Sequence, residues 1–366
     1  MASTGPDTRP HLHLMADMGF ADTFQQRLED LGLAHRNNVV LVGKKPENRL
    51  ASGHFSYTDL TEGSAPDPRA FGHIFVHFML PMVCHWLHRH PDVRVHWVFY
   101  GAEVYRNPLV TYSGLLPKTA GYARWRPSEA VRRLGYHLVH RKAWQHALSR
   151  VDQVLMGNPE EFDLIQSLVP SMRARFEPFF YGKALRDVQH LESNPLAAAF
   201  GDEPLHIQLG HCACPSVNHL DLLESASATH GVIWHVPLSY GDPRYALWLQ
   251  RRCRNRKNLR WMMDRLPIEQ YMNHQSHMSA AVFPNVRQQA LANINSYLMQ
   301  GKPVFLHPEN PTYRYYVEQG IQLGSTTNFS EREVRRLAKK GEENQAQMQR
   351  LASEDSCNAN YLRLFS

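Results

Sequence analysis

Apolar positions along the chain come in short runs separated by longer amphipathic stretches. In the first half the runs are HLHLMAD (11–17), NNVVLVGK (37–44), HIFVHF (73–78), VRVHWVFYG (93–101) and VDQVLMG (151–157). Stretches with helical period lie between them, such as ADTFQQRLEDLG (21–32) and SEAVRRLGYHLVHRKAWQHALSR (128–150). After a Pro- and Phe-rich passage the pattern restarts with LHIQLG (205–210), GVIWHVPLS (231–239), NLRWMMD (258–264), MSAAVFP (278–284) and KPVFLHP (302–308). Short runs alternating with helices predict a parallel sheet covered on both faces. Two such sets predict an α/β protein of two Rossmann-like, doubly wound domains facing a central cleft. The expected domains are 1–190 and 191–340, with 341–366 as a tail packing back on the body.

Composition narrows this picture. A chain of 366 residues exceeds one ordinary core, and its 43 % apolar residues suffice for two. No run of about 18 apolar residues is uninterrupted; the nearest, HIFVHFMLPMVCHWLHRH (73–90), is broken by histidines and Pro81. The first ten residues lack the apolar core of a signal peptide, so a cytoplasmic location is expected. Five scattered cysteines make a disulfide framework improbable. His211-Cys212-Ala213-Cys214 has no second ligand pair at zinc-like spacing, and free thiols are expected there, with no metal.

The net charge of +6 leaves 22 histidines uncounted. Basic residues concentrate at 124–142, 251–260 and 332–340, which points to an anionic partner. No zinc-finger spacing or RNP-like aromatic motif is present, so nucleic acid is not expected.

Candidate chemistry gathers where strands end. The strand MSAAVFP runs into the loop NVRQQ (285–289) and then the helix ALANINSYLMQGK (290–302). A helix N-terminus at a strand's carboxyl end offers unpaired N–H groups to a diphosphate. Arg287 adds a bidentate fork, and Gln288, Gln289 and Asn293 add donors and acceptors suited to sugar hydroxyls or phosphate oxygens. Asp17, His77 and Glu103 lie at the ends of three strands in the first half, and Ser216 and Asn218 follow one in the second. Ligands of open α/β sheets sit beyond such ends.

The segments HWVFYGAEVY, GHCACPSVNH, VPLSYGDPRY, LPIEQYMNHQSHMSAAVFPNVRQQ and MQGKPVFLHPENP resemble the TDP-N-acetylfucosamine:lipid II N-acetylfucosaminyltransferases, glycosyltransferase family 56. The resemblance is best over about residues 93–320. It implies a fold of the GT-B type and sugar transfer from a nucleotide diphosphate donor of the TDP, GDP or UDP kind. It assigns Gly210, Ser216, Tyr240, Arg287, Gln288, Gln289, Glu309 and Asn310 to the donor side, and Asp17, His77 and Glu103 to the acceptor side. His211, Cys212 and Cys214 stand where the family has a Gly-Asn-Ser-Gly-Asp-like run, which alters the donor pocket.

The reaction needs a base to take the acceptor's proton and positive groups to meet the departing diphosphate. Asp17, Glu103 and His77 are the candidate bases; Arg287 and the helix start would meet the diphosphate. No essential metal and no cofactor is expected. The partners expected are a nucleotide sugar, a glycan or lipid-linked glycan acceptor, and the anionic face of an inner membrane, touched through the basic stretch 124–142. Other readings are a GT-B enzyme acting on a soluble glycan or protein, a GT-B-like sugar epimerase, and a non-catalytic polyanion-binding protein.

Overall fold

All ten runs form strands in the computed structural model, which describes residues 8–47, 50–61, 65–123, 127–181, 203–226 and 231–366. Three further short strands complete the sheets. In the first sheet the strands are β1 (His11–Met15), β2 (Asn37–Val42), β3 (Ser56–Thr58), β4 (Ile74–His77), β5 (Val95–Val98), β6 (Val151–Met156) and β7 (Arg175–Pro178). They lie in the order β3-β2-β1-β4-β5-β6-β7 and every pair is parallel. The second sheet holds β8 (Leu205–Leu209), β9 (Val232–Pro237), β10 (Leu259–Met262), β11 (Ala280–Phe283), β12 (Val304–Leu306) and β13 (Gly324–Ser325). Its order is β10-β9-β8-β11-β12-β13, again all parallel.

Every residue of β1, β4, β5 and β11 is buried. A strand buried on both pleat faces must be covered on both by helices, which is the doubly wound arrangement. Strand order reverses between β1 and β4 in one sheet and between β8 and β11 in the other. Those two points are where such sheets open a crevice for ligands.

The chain divides into two units, the first Met1–Tyr112, Ser128–Gly182 and Glu354–Ser366, the second Ser113–Pro127 and Lys183–Ser353. The boundary expected near residue 190 lies outside the described residues. Ser113–Pro127, within the expected first domain, belongs to the second unit for a definite reason. Asn218, Asp221 and Asp242 draw it there: Asn218 Oδ1 accepts from the Leu116 amide at 2.9 Å, and Asp221 accepts from the amides of Lys118 and Thr119 at 2.8 and 2.9 Å. Tyr122 donates its hydroxyl to Asp242 at 2.7 Å.

The expected tail also divides. Helix Gly341–Leu351 stays with the second unit, where Met348 joins the core of Phe283, Tyr297 and Leu306. Helix Glu354–Phe365 completes the first unit by burying Cys357, Tyr361 and Phe365 against Met15, Phe24 and Phe75.

Candidate functional site

The second unit's switch point is assembled from the turns after β8, β11 and β12. Gly210 ends β8 at φ +69, a conformation that favours glycine, and a Cβ there would lie 2.6 Å from both His219 Nε2 and Val217 Cγ1. The chain then turns through His211–Val217 to Asn218, itself left-handed at φ 61. The Asn218 amide nitrogen donates to the carbonyls of Gly114 (3.1 Å) and Pro284 (3.3 Å), so one side chain ties this turn to the end of β11.

That arrangement brings Ser216 to the loop Asn285–Gln289. Ser216 Oγ donates to Gln289 Oε1 at 3.0 Å and accepts from Arg287 Nη2 at 3.3 Å. The loop is braced from beneath. Asn310, after β12, donates to the carbonyls of Asn285 and Arg287 at 2.9 and 3.0 Å while its oxygen caps helix Pro311–Glu318. Asn285 is fully buried; its Nδ2 donates to the Arg287 carbonyl at 2.7 Å, and its Oδ1 has no hydrogen-bond partner among the described residues. An orphaned buried acceptor is costly and marks a place where a donor is missing.

Helix Leu291–Met299 follows. Its N-cap, Ala290, is left-handed at φ 58 and offers no capping side chain. Leu291 and Asn293 are partly exposed and Ala292 is exposed, so among the described residues the first turn of the helix is not fully covered. Of the residues expected here, Ser216 bridges Arg287 and Gln289. Gln288 accepts from Thr312 Oγ1 at 3.4 Å. Asn293 turns inward, accepting from Tyr271 at 2.8 Å and Gln275 at 2.9 Å. Tyr240 is 54 % exposed, with its ring 6.2 Å from that of His211, and Glu309 is exposed. His211 Nε2 and Cys212 Sγ lie 3.3 Å apart. Among the described residues no three His, Cys, Asp or Glu side chains converge to hold a metal ion.

In the first unit the three acidic or basic candidates have distinct surroundings. Asp17, after β1, accepts from the Leu50 and Ala51 amides at 3.1 and 2.8 Å with the same oxygen, and so pins the loop after β2. His77, the last residue of β4, is fully buried in a polar thread. Asn37 Nδ2 donates to the Leu33 and Phe365 carbonyls, both at 2.9 Å, which leaves its oxygen to accept from His13 Nε2 at 2.9 Å. His13 Nδ1 must then accept from His77 Nε2 at 3.0 Å, and His77 Nδ1 must accept from the Tyr181 hydroxyl. Both imidazoles are neutral in this thread. Burial holds the His77 pKa well below its ordinary value, and His13 adds to the effect.

Glu103 follows β5 past Gly101, which takes φ +98 at the bend. Its Oε1 accepts from the Tyr100 amide at 3.0 Å and from Trp97 Nε1 at 3.3 Å. Its Oε2 is buried and has no hydrogen-bond partner among the described residues. Burial pushes its pKa up to about 7 against the lowering influence of those donors. Glu103 lines a cavity of about 360 Å³ with Phe78, Leu80, Pro81, Asn107 and Tyr136. Phe78 is held at φ 80, an uncommon conformation for a bulky residue, at the end of β4.

Solved structures share this fold over nearly the whole chain. WaaG, a glycosyltransferase involved in lipopolysaccharide biosynthesis, matches with TM-score 0.52 and 14 % identity, covering 97 % of this chain and 99 % of its own. Sucrose-phosphate synthase from Thermosynechococcus elongatus matches with TM-score 0.55 and 11 % identity, over 98 % and 95 %. Anabaena Alr3699/HepE, solved with UDP-glucose, matches with TM-score 0.51 and 12 % identity, over 98 % and 96 %.

The fold is GT-B.

No known family's sequence pattern matches the chain, and no curated protein matches it in sequence. At these identities the likeness is one of architecture, so the chemistry of this GT-B chain has to be argued from its own side chains. Sequence reasoning missed Asn285 and the bracing role of Asn218. An asparagine directly after a strand, followed within two residues by an arginine, was the available signal for Asn285.

Proposed function

We propose that this GT-B chain is a glycosyltransferase that moves a sugar from a nucleotide diphosphate donor to a glycan acceptor. The observation that carries the reading is the Arg287–Ser216–Gln289 cluster just before the uncapped N-terminus of Leu291–Met299, together with the buried Asn285 oxygen that has no partner among the described residues. A guanidinium and a helix dipole at one switch point meet a diphosphate as it leaves with the electron pair of the broken C1–O bond. We assign the donor a deoxyhexose of the fucose or N-acetylfucosamine kind, on the family 56 motifs, with no resident metal or cofactor.

The base role goes to Glu103. Taking the acceptor's proton needs an unengaged lone pair and a pKa near the working pH, and Glu103 Oε2 has both. In Asp17 one oxygen already holds a loop, and in His77 both ring nitrogens are engaged.

We assign the acceptor to the lipid-linked class. Helix Pro127–Ser149 exposes Leu134, Leu138 and Val139 at 63, 79 and 62 %, beside the exposed Arg133, Arg141 and Lys142. An apolar stripe flanked by basic residues suits an anionic bilayer surface. Among the described residues no helix is long and apolar enough to cross a membrane, so such contact would be peripheral.

Thermal shift across TDP, UDP and GDP sugars tests the donor site. One nucleotide class should stabilise the wild type, and Arg287→Ala should lose that response and turnover by orders of magnitude while staying folded. Stabilisation unchanged in Arg287→Ala would refute the donor assignment. Leu134→Glu with Leu138→Glu should abolish pelleting with anionic vesicles; unaltered pelleting would refute the membrane face.

A further inference from the structure

The cavity beside Glu103 holds a second polar group that the base assignment leaves unused. Asn107 follows helix Ala102–Tyr105, is 8 % exposed and lines the same space of about 360 Å³. A main-chain N–H can only donate, so the end of the Asn107 amide that meets the Leu109 N–H at 2.9 Å must be its oxygen. The nitrogen lies on the other side of that amide. Its two N–H groups have no hydrogen-bond partner among the described residues, although the residue is more than nine-tenths buried.

Glu103 is arranged in the same way, with Oε1 held by the Tyr100 amide and Trp97 and Oε2 unpartnered. The two residues come from one turn of chain, closed where the Asn107 N–H donates to the Val104 carbonyl at 3.1 Å. The remaining wall is mostly apolar, with Phe78, Leu80, Pro81, Ala102 and Tyr136. Phe78 keeps its positive φ in a tight turn, where its carbonyl accepts from the Leu80 N–H at 2.8 Å. Backbone strain of this kind gathers at ligand sites. Two buried side chains, each pinned at one end and unanswered at the other, are costly in an apolar wall unless something polar enters. The volume falls in the range of small-molecule sites.

We infer that this cavity takes a sugar acceptor by two neighbouring oxygens, a hydroxyl that gives its proton to Glu103 and an adjoining oxygen that accepts from Asn107. The inference rests on the glycosyl-transfer reading above and adds acceptor recognition to it. As the hydroxyl oxygen bonds to the anomeric carbon, its proton passes to Glu103 Oε2 and the electron pair of the broken C1–O bond leaves with the diphosphate. Ionised Glu103 offers only lone pairs and the Asn107 nitrogen only donors, so the pair tells the two oxygens apart. A vicinal diol satisfies both. A hydroxyl beside a bare methylene leaves Asn107 unpaired and is rejected.

The test uses the whole chain, with methyl pyranosides of glucose, galactose and mannose and their monodeoxy forms as acceptor probes. The donor is the nucleotide sugar that stabilises the protein in thermal shift. At least one methyl glycoside should react, and removing the oxygen that adjoins the linked position should raise acceptor KM about tenfold or more. Asn107→Asp keeps an oxygen for the Leu109 amide, so its melting temperature should stay near that of wild type. It loses the N–H donors, so its acceptor KM should rise by a similar factor while donor KM holds, and the deoxy probe should cost it nothing further. Glu103→Gln should lower kcat instead. An unchanged acceptor KM in Asn107→Asp, or a deoxy probe as good as its parent, would overturn the inference. No reaction with any methyl glycoside, while the nucleotide sugar still binds, would overturn it and leave the donor reading standing. Absence of nucleotide-sugar binding would remove both.

Discussion

Replacing Glu103 by glutamine should change how the protein's stability responds to pH, in a direction opposite to most carboxylates. Glu103 is 6 % exposed, and its pKa rises from an ordinary 4.5 to about 7 in the folded chain. Below pH 4.5 the carboxyl is protonated whether the chain is folded or not, and burial carries no charge penalty. Between those two values the folded state holds a proton that the unfolded state has released, so stability falls as pH rises. The loss is complete above pH 7. At about 1.4 kcal/mol per pH unit the span amounts to roughly 3 kcal/mol. Glutamine keeps an oxygen for the Tyr100 amide and Trp97 and carries no titration. Urea unfolding at pH 5, 6, 7 and 8, followed by tryptophan fluorescence, should show the variant gaining on wild type by roughly 3 kcal/mol across the series. A stability difference that stays flat over that range would refute the raised pKa. Turnover should move the other way, because the proposed base is competent only when ionised: the wild-type rate should climb to a plateau above about pH 7, and the variant should lie orders of magnitude below it.

Gly210→Ala should destabilise the second unit by roughly 2–4 kcal/mol, since its Cβ would meet buried His219 and Val217 at 2.6 Å in a left-handed backbone. Calorimetry would show this, and an unchanged melting temperature would count against the packing described. Tyr361→Ala removes a ring that lies 5.5 Å from Phe24, 5.3 Å from Phe179 and 5.4 Å from Phe365, at a cost of roughly 3–5 kcal/mol. That loss belongs to the first unit, so nucleotide-sugar binding should survive in isothermal titration; its disappearance would mean the units are not independent in this respect.

The strands readable in the sequence were those carrying enough apolar residues to announce a buried position. β3, β7 and β13 were not readable because they are short and lie at or near sheet edges, where few residues are buried. The RQQ loop and the following helix were visible because a strand, a polar loop and a helix occur in unbroken order. The left-handed turn at Ala290 was not, since alanine carries no signal for positive φ. His77 looked like a strand-end reactive group, yet its partners His13, Asn37 and Tyr181 are scattered over the chain and only folding joins them. The raised pKa of Glu103 likewise depends on burial, which spacing does not encode.

The polar thread through Asn37, His13 and His77 reaches a carbonyl of the chain's last helix, and that has a consequence for biosynthesis. On the ribosome, β1 to β7 emerge long before Tyr361 and Phe365, so the nascent first unit waits with an open aromatic socket while the second unit is being made. The second unit can therefore finish first, inverting the usual N-to-C order of maturation. Until translation delivers the closing helix, the aromatic core of the first unit stays incomplete.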